Sequence, residues 1–197
     1  LPTQILLGLS SFFAHFWWLI ILILSVLSYL LYQYNQSPEG KLKIDQFKLN
    51  IPFLGQFYKN VEIERFSRTL ATLLENGVTI VVALKSVGLV AGNEVFKELL
   101  KKIEINVNNG DGLAHAIDKT SFFPDTASQM ITVGEETGHL SKGLHKLAQY
   151  YERLVNQFIK NMTTLIEPIL ILMMGLIVGS VVLAMLLPIF QMNLLIK

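Results

Sequence analysis

The sequence predicts an all-α membrane protein, with two transmembrane helices flanking a cytoplasmic antiparallel helical bundle. Three observations carry that prediction. First, the apolar residues are concentrated at the two ends: residues 1–32 and 168–196 contain no charged side chain, in a chain of 197 residues that is 52% hydrophobic with mean hydropathy +0.48. Second, the polar middle repeats its apolar residues at helical spacing. Third, no stretch alternates apolar and polar with period two, as a half-buried strand would.

The elements follow in order. Residues 1–11 read as a link on the far side of the membrane from the polar middle. Phe12–Tyr32 is an uncharged run of the length that crosses a hydrocarbon core of ~30 Å at ~1.5 Å per helical residue. Trp17 and Trp18 near its start, with Tyr29 and Tyr32 near its end, fit aromatic interface belts. Residues 33–59 read as a juxtamembrane connector, in which Ser37-Pro38-Glu39-Gly40 signals a turn and Ile51-Pro52 interrupts any helix.

Residues 60–164 form the expected bundle. Helical periodicity starts near Val61, with Phe66, Leu70, Leu73 and Leu74 on one face and a stop at Asn76-Gly77. Helices are expected over Thr79–Val90, Glu94–Asn108 and Leu113–Asp118, with Asn109-Gly110-Asp111-Gly112 as a break. Pro124 suits the first turn of the next helix, which ends around Gly134–Gly138. In the last helix Leu140, Leu144, Leu147, Tyr151, Leu154 and Phe158 form one stripe, which runs without a breaker into a second span, residues 165–190. Residues 191–197 read as a tail on the same far side as the link. Lysines 41, 43 and 48 follow the first span, and Arg153 and Lys160 precede the second. By the positive-inside rule the middle is cytoplasmic.

Composition also excludes several classes. Cysteine is absent, so disulfides, thiolate metal sites and cysteine nucleophiles are ruled out. The middle is nearly neutral, which argues against a nucleic-acid partner. No phosphate loop, HExxH or Gly-x-Ser-x-Gly motif occurs, and the four histidines lack metal-ligand spacing. No catalytic residue, metal or cofactor is expected. The chain opens on Leu1 without a basic leader, as a piece of a longer protein would.

Four sites stand out. Val133-Gly134-Glu135-Glu136-Thr137-Gly138 packs two acids and two glycines into what reads as an interhelical turn. It is either an acidic docking knob or a turn whose glycines allow positive φ and whose acids cap the next helix. Arg68 is a candidate partner for these acids. Glu167-Pro168 at the entry of the second span is either a functional acid or a headgroup-level residue, with Pro168 starting a new helical segment. Gly175 and Gly179 give the Gly-x-x-x-Gly spacing of close helix packing.

In this order the pieces resemble the F-protein family of type II secretion systems, which includes the platform proteins of type IV pili. The resemblance rests on Phe66-Ser-Arg68-Thr-Leu70-Ala-Thr-Leu73-Leu74-Glu-Asn-Gly77-Val78, Gly112-Leu113 with Ala116-Ile117, Phe123-Pro124, Val133–Leu140, Glu167-Pro168 and Pro188-Ile189-Phe190. It implies the C-terminal half of a protein with two cytoplasmic domains and three spans. It further implies a non-enzymatic platform in the inner membrane that couples an assembly ATPase to insertion of pilin or pseudopilin. Such a platform works with other inner-membrane assembly proteins and membrane lipid, as a homo-oligomer. Arg68, Glu135, Glu136 and Glu167 are then the candidate coupling residues. A small membrane transporter or membrane enzyme subunit is the alternative, although a transporter ordinarily shows several spans with polar midplane groups.

Overall fold

The computed structural model describes residues 37–194 together with Trp18, Ile21, Leu22, Ser25 and Val26. The expected link and first span therefore lie, those five residues apart, outside the described residues. The described chain is all-helical: α1 Pro38–Asn50, α2 Leu54–Glu75, α3 Ile80–Val90, α4 Glu94–Asn108, α5 Leu113–Asp118, α6 Asp125–Glu136 and α7 Leu140–Leu194. Residues 34–159 form one compact unit. In it α1 packs on α2 and α4, α2 on α3, α3 on α4, α4 on α5, and α5 on α6.

The helix ends are set by local chemistry. Asn93 caps α4 by accepting the Phe96 N–H through Oδ1 at 3.1 Å. The α2 terminus closes when the Val78 N–H donates to the Leu73 carbonyl and the Gly77 N–H to that of Leu74, with Gly77 at φ 79°. That double bond needs a left-handed residue, which glycine supplies without a Cβ penalty.

The core joins α2 to α6 with the start of α7. At its centre the rings of Phe66, Phe96, Phe122 and Phe123 meet at centroid distances from 4.7 to 6.1 Å. Offset and edge-on pairs of this kind add to the area they bury. The stripe read from the sequence lies against the same core: Leu144, Leu147 and Tyr151 are buried, and Leu140 and Leu154 pack beside them. Across the seam between α2 and α7, Glu75 meets His145 at 2.9 Å, Arg68 meets Glu152 at 3.0 Å, and Phe57 stacks on Phe158 at 4.6 Å. Numbers fall along one helix as they rise along the other, so the two are antiparallel.

Four expectations need correction. Residues 33–59 are not an irregular connector throughout, because Pro38–Asn50 is a helix. The Ser37-Pro38-Glu39-Gly40 signal is its start: Ser37 Oγ accepts the Gly40 N–H at 3.0 Å and proline occupies the first turn, where its missing N–H costs nothing. Next, α2 begins at Leu54 rather than Val61, directly after the Pro52 break. Third, Val133–Glu136 belong to α6, leaving Thr137–His139 as the turn. Finally, Pro168 starts no new segment, since α7 runs through it. Proline is tolerated where any irregular backbone would be worse, as in an apolar medium.

α1 was hidden because it has no apolar stripe of its own. It is held by a buried acid instead. Asp45 is 3% exposed; its Oδ2 accepts the Glu94 N–H at 3.0 Å and its Oδ1 accepts from Lys48 Nζ at 2.9 Å. Lys41 adds an ion pair to Glu94 at 2.8 Å.

Candidate functional site

Glu135 and Glu136 are neighbours in sequence with opposite fates. Glu135 turns inward. Its Oε1 accepts the Leu113 N–H at 2.7 Å and its Oε2 the Ala114 N–H at 2.8 Å. Those two donors have no partner inside α5, and the carboxylate also suits the positive end of the helix. The acid is thus a cap, for the preceding α5 rather than for the following helix. Gly112 makes room, since a Cβ there would sit 3.1 Å from both carboxylate oxygens. Glu136 is exposed and, among the described residues, makes no ion pair.

The glycines of the motif divide their work. Gly138 adopts φ 69°, and the bonds from the His139 N–H to the Gly134 carbonyl and from the Gly138 N–H to that of Glu135 end α6. Gly134 is helical and serves packing. A Cβ on it would lie 3.4 Å from the Gly143 Cα, and a Cβ on Gly143 would lie 3.2 Å from the Gly134 Cα. The two backbones cross where any side chain would separate them.

Arg68 does not reach these acids. Its Nε donates to Glu64 and its Nη2 to Glu152, and the carboxylates of Glu64 first and then Glu152 raise its pKa. It bridges α2 to α7 on the surface, so the expected pairing with Glu135 or Glu136 is not formed. Arg68 and Glu135 are each satisfied by a nearer partner, and Glu136 stays exposed.

Two grooves border α6. One is polar and mainly acidic, lined by His115, Asp118, Asp125, Glu135 and Glu136. The other is apolar with a basic rim, lined by Met130, Val133, His139, Lys142, Lys146 and Tyr150. Glu136, Asp118 and Asp125 line the first together, and they were not visible as a group in the sequence because they come from two helices. Among the described residues no three His, Asp or Glu side chains are placed to hold a metal ion.

A further acid is internal. Glu62 is 7% exposed and accepts the Gly92 N–H at 3.3 Å. Burial pushes its carboxyl above the ordinary value, against the opposing pull of that hydrogen bond and of Arg65. It joins α2 to the α3–α4 turn.

Glu167 and the Gly175/Gly179 pair lie on the apolar part of α7. From Leu165 to Leu183 the large apolar side chains described there are exposed, and α7 is, among the described residues, the helix long and apolar enough to cross a membrane. No described atom lies within 4 Å of a Cβ built on Gly175 or Gly179, so their spacing has no partner among the described residues.

Comparison with known proteins agrees with this architecture. The family model described as "Type II secretion system (T2SS), protein F" matches residues 66–188. The chain is 39% identical over 173 residues to the type IV pilus assembly protein PilC of Thermus thermophilus, covering 87% of the chain and 43% of that protein. It is 36% identical over 192 residues to the type IV pilus assembly protein PilC of Pseudomonas aeruginosa, covering 97% and 51%. Against the type II secretion system protein F of the same organism the identity is 29% over 194 residues, covering 98% and 48%. The chain spans about half the length of these curated relatives. Because the family model covers well over half of it, the chain belongs to the type II secretion system protein F family.

Proposed function

We propose that this chain is the membrane-anchored, non-enzymatic part of a platform that assembles a type IV pilus or a type II secretion pseudopilus. It sits in the inner membrane as a multi-pass protein, with residues 33–164 in the cytoplasm and both chain ends on the far side. There it couples a cytoplasmic assembly ATPase to insertion of pilin or pseudopilin, alongside other inner-membrane assembly proteins and further copies of itself. The observation that supports this most is α7. One uninterrupted helix carries both a stripe buried in the helical unit and an apolar stretch that no described residue covers. A force on the unit then has a stiff element through which to act.

The geometry also refines the coupling residues. Glu135 is engaged by α5, and its part in coupling is to position the acidic face. Glu136, with Asp118 and Asp125, is the docking group for a basic partner surface, and Arg68 is a second exposed contact on the α2–α7 seam. Glu167 marks the headgroup level. Gly175 and Gly179 offer a second transmembrane helix a close approach.

The test is co-purification of the protein from its own membranes, with and without Glu136→Gln combined with Asp125→Asn. Retention of the ATPase by the parent, its loss from the variant and loss of surface pili or secretion support the reading. Normal assembly in the variant removes these acids from it. A reporter fused near Gly110 is expected to be active only in the cytoplasm; periplasmic activity would overturn the orientation.

A further inference from the structure

Between α1 and α2 the chain makes an uncommon corner. The Leu54 N–H donates to the Pro52 carbonyl at 2.9 Å, closing a three-residue turn around Phe53, whose φ and ψ are 69° and −51°. Phe53 is the one residue other than glycine with positive φ among the described residues. A side chain is strained in that conformation. The corner has nevertheless a phenylalanine there, and its ring is 84% exposed. Strain at a ring that faces outward asks what the ring is for.

The neighbours repeat the pattern. Phe47 in the last turn of α1, Leu54 at the start of α2 and Tyr58 one turn later are exposed as well. Polar company is one-sided. Lys43 is exposed one turn before Phe47, whereas between residues 40 and 61 the only carboxylate is Asp45, which is buried. An exposed apolar and aromatic corner with lysine and without an exposed acid is the composition of an interfacial membrane anchor on an anionic leaflet.

Position argues for the same occupant. Phe57 stacks on Phe158 at 4.6 Å, and α2 is antiparallel to α7. Moving back from Phe57 to Phe53 therefore runs in the direction in which α7 approaches its uncharged stretch, which begins after Lys160 and is broken only by Glu167. Within the unit, the corner therefore lies at the end from which the chain leaves, after Ile159, toward that stretch.

We propose that the α1–α2 corner, led by Phe53, inserts into the headgroup layer of the bilayer that α7 crosses, fixing the tilt of the helical unit against the membrane. This rests on the reading that α7 spans a membrane, and the test separates the two. The chain has no cysteine, so single labelling sites are available. Phe53→Cys, Val133→Cys and Leu172→Cys variants of the full chain are each labelled with a small environment-sensitive fluorophore. They are then reconstituted in vesicles of phosphatidylglycerol and phosphatidylcholine. The probe at 53 is expected to be quenched at least twofold more strongly than the probe at 133 by a headgroup nitroxide lipid, and the probe at 172 by a lipid with its nitroxide deep in the acyl chain. Quenching at 172 but not at 53 overturns the proposal and leaves the span intact. No quenching at 172 removes the span, and the proposal with it. A blue-shifted probe at 53 that no lipid nitroxide quenches means that protein, such as a second copy, covers the corner, and this too overturns it.

Discussion

Leu147 and Leu172 are leucines on one helix, yet Leu147 is 0% exposed and Leu172 is 67% exposed. Around Leu147 the stripe of Leu144, Ala148 and Tyr151 is sealed by the unit, and the opposite side of the helix is polar. Around Leu172 the apolar residues cover the whole circumference. A helix that is apolar on one face asks for a protein neighbour, whereas one apolar all round asks for a different solvent. Two residues of equal hydrophobicity therefore carry different information, and it is the pattern around each that distinguishes them.

The largest expected effect breaks the comparison at both ends. Leu147→Ala is expected to destabilise the helical unit by about 2–5 kcal/mol, as cavity formation in a packed core does. Leu172→Ala should leave the unit's unfolding midpoint in detergent unchanged. Conversely Leu172→Arg should oppose membrane insertion by about 2.5–3.5 kcal/mol, read as loss of membrane-integrated protein. Equal midpoint shifts for the two alanine variants would erase the distinction.

A smaller effect separates Glu135 from Glu136. Glu135→Ala strands the N–H groups of Leu113 and Ala114, at a cost of about 1–3 kcal/mol, seen as a lowered midpoint in chemical denaturation. Glu136→Ala, on the exposed side, should stay within about 0.5 kcal/mol. Arg68→Gln belongs with the latter, because exposed ion pairs contribute about 0–1 kcal/mol.

These two acids also mark where sequence reading stopped. Glu135 and Leu113 lie in separate motif fragments, and nothing in the spacing says that a carboxylate in one caps the helix of the other. The pairing is tertiary. Helices Glu94–Asn108 and Leu113–Asp118 were readable to the residue because each is bounded by local signals, Asn93 before the first and Asn109–Gly112 between the two. By contrast α1 was read as a connector, since its anchor is one acid, Asp45, bonded to a backbone N–H 49 residues away. The corner at Phe53 was equally hidden, because a phenylalanine gives no signal for positive φ. The stripe from Leu140 to Phe158 was the most legible feature, and its buried middle is where the structure places it. The candidate coupling residues came from the resemblance and from charge; in the structure Glu135 caps α5, Arg68 pairs with Glu64 and Glu152, and Glu136 lies exposed.

Glu62 gives the smallest and most conditional effect. Burial raises its carboxyl pKa, so the folded unit holds this proton more tightly than the unfolded chain does. The group's contribution to stability is then fully present below the unfolded-state value, and it is lost as pH rises through the folded-state one. Glu62→Gln keeps an acceptor for the Gly92 N–H and removes the titration. The variant is expected to gain stability relative to the parent as pH rises above about 4, measured by thermal unfolding across pH. A gain that shrinks with rising pH would contradict the assignment.

The contrast between the two parts of α7 is tested most directly by cysteine accessibility along that helix in native membrane vesicles. Single cysteines are introduced at positions 146, 153, 160 and 165 and at each position from 169 to 183 of the cysteine-free chain, so that every helical face is sampled, and treated with a membrane-impermeant maleimide. Reaction at 146, 153 and 160 from the cytoplasmic side, with continuous protection on every helical face from 169 to 183, is the expected result. Labelling that recurs with helical period through 169–183 would mean that water bathes one face of that stretch, and would contradict its placement in lipid.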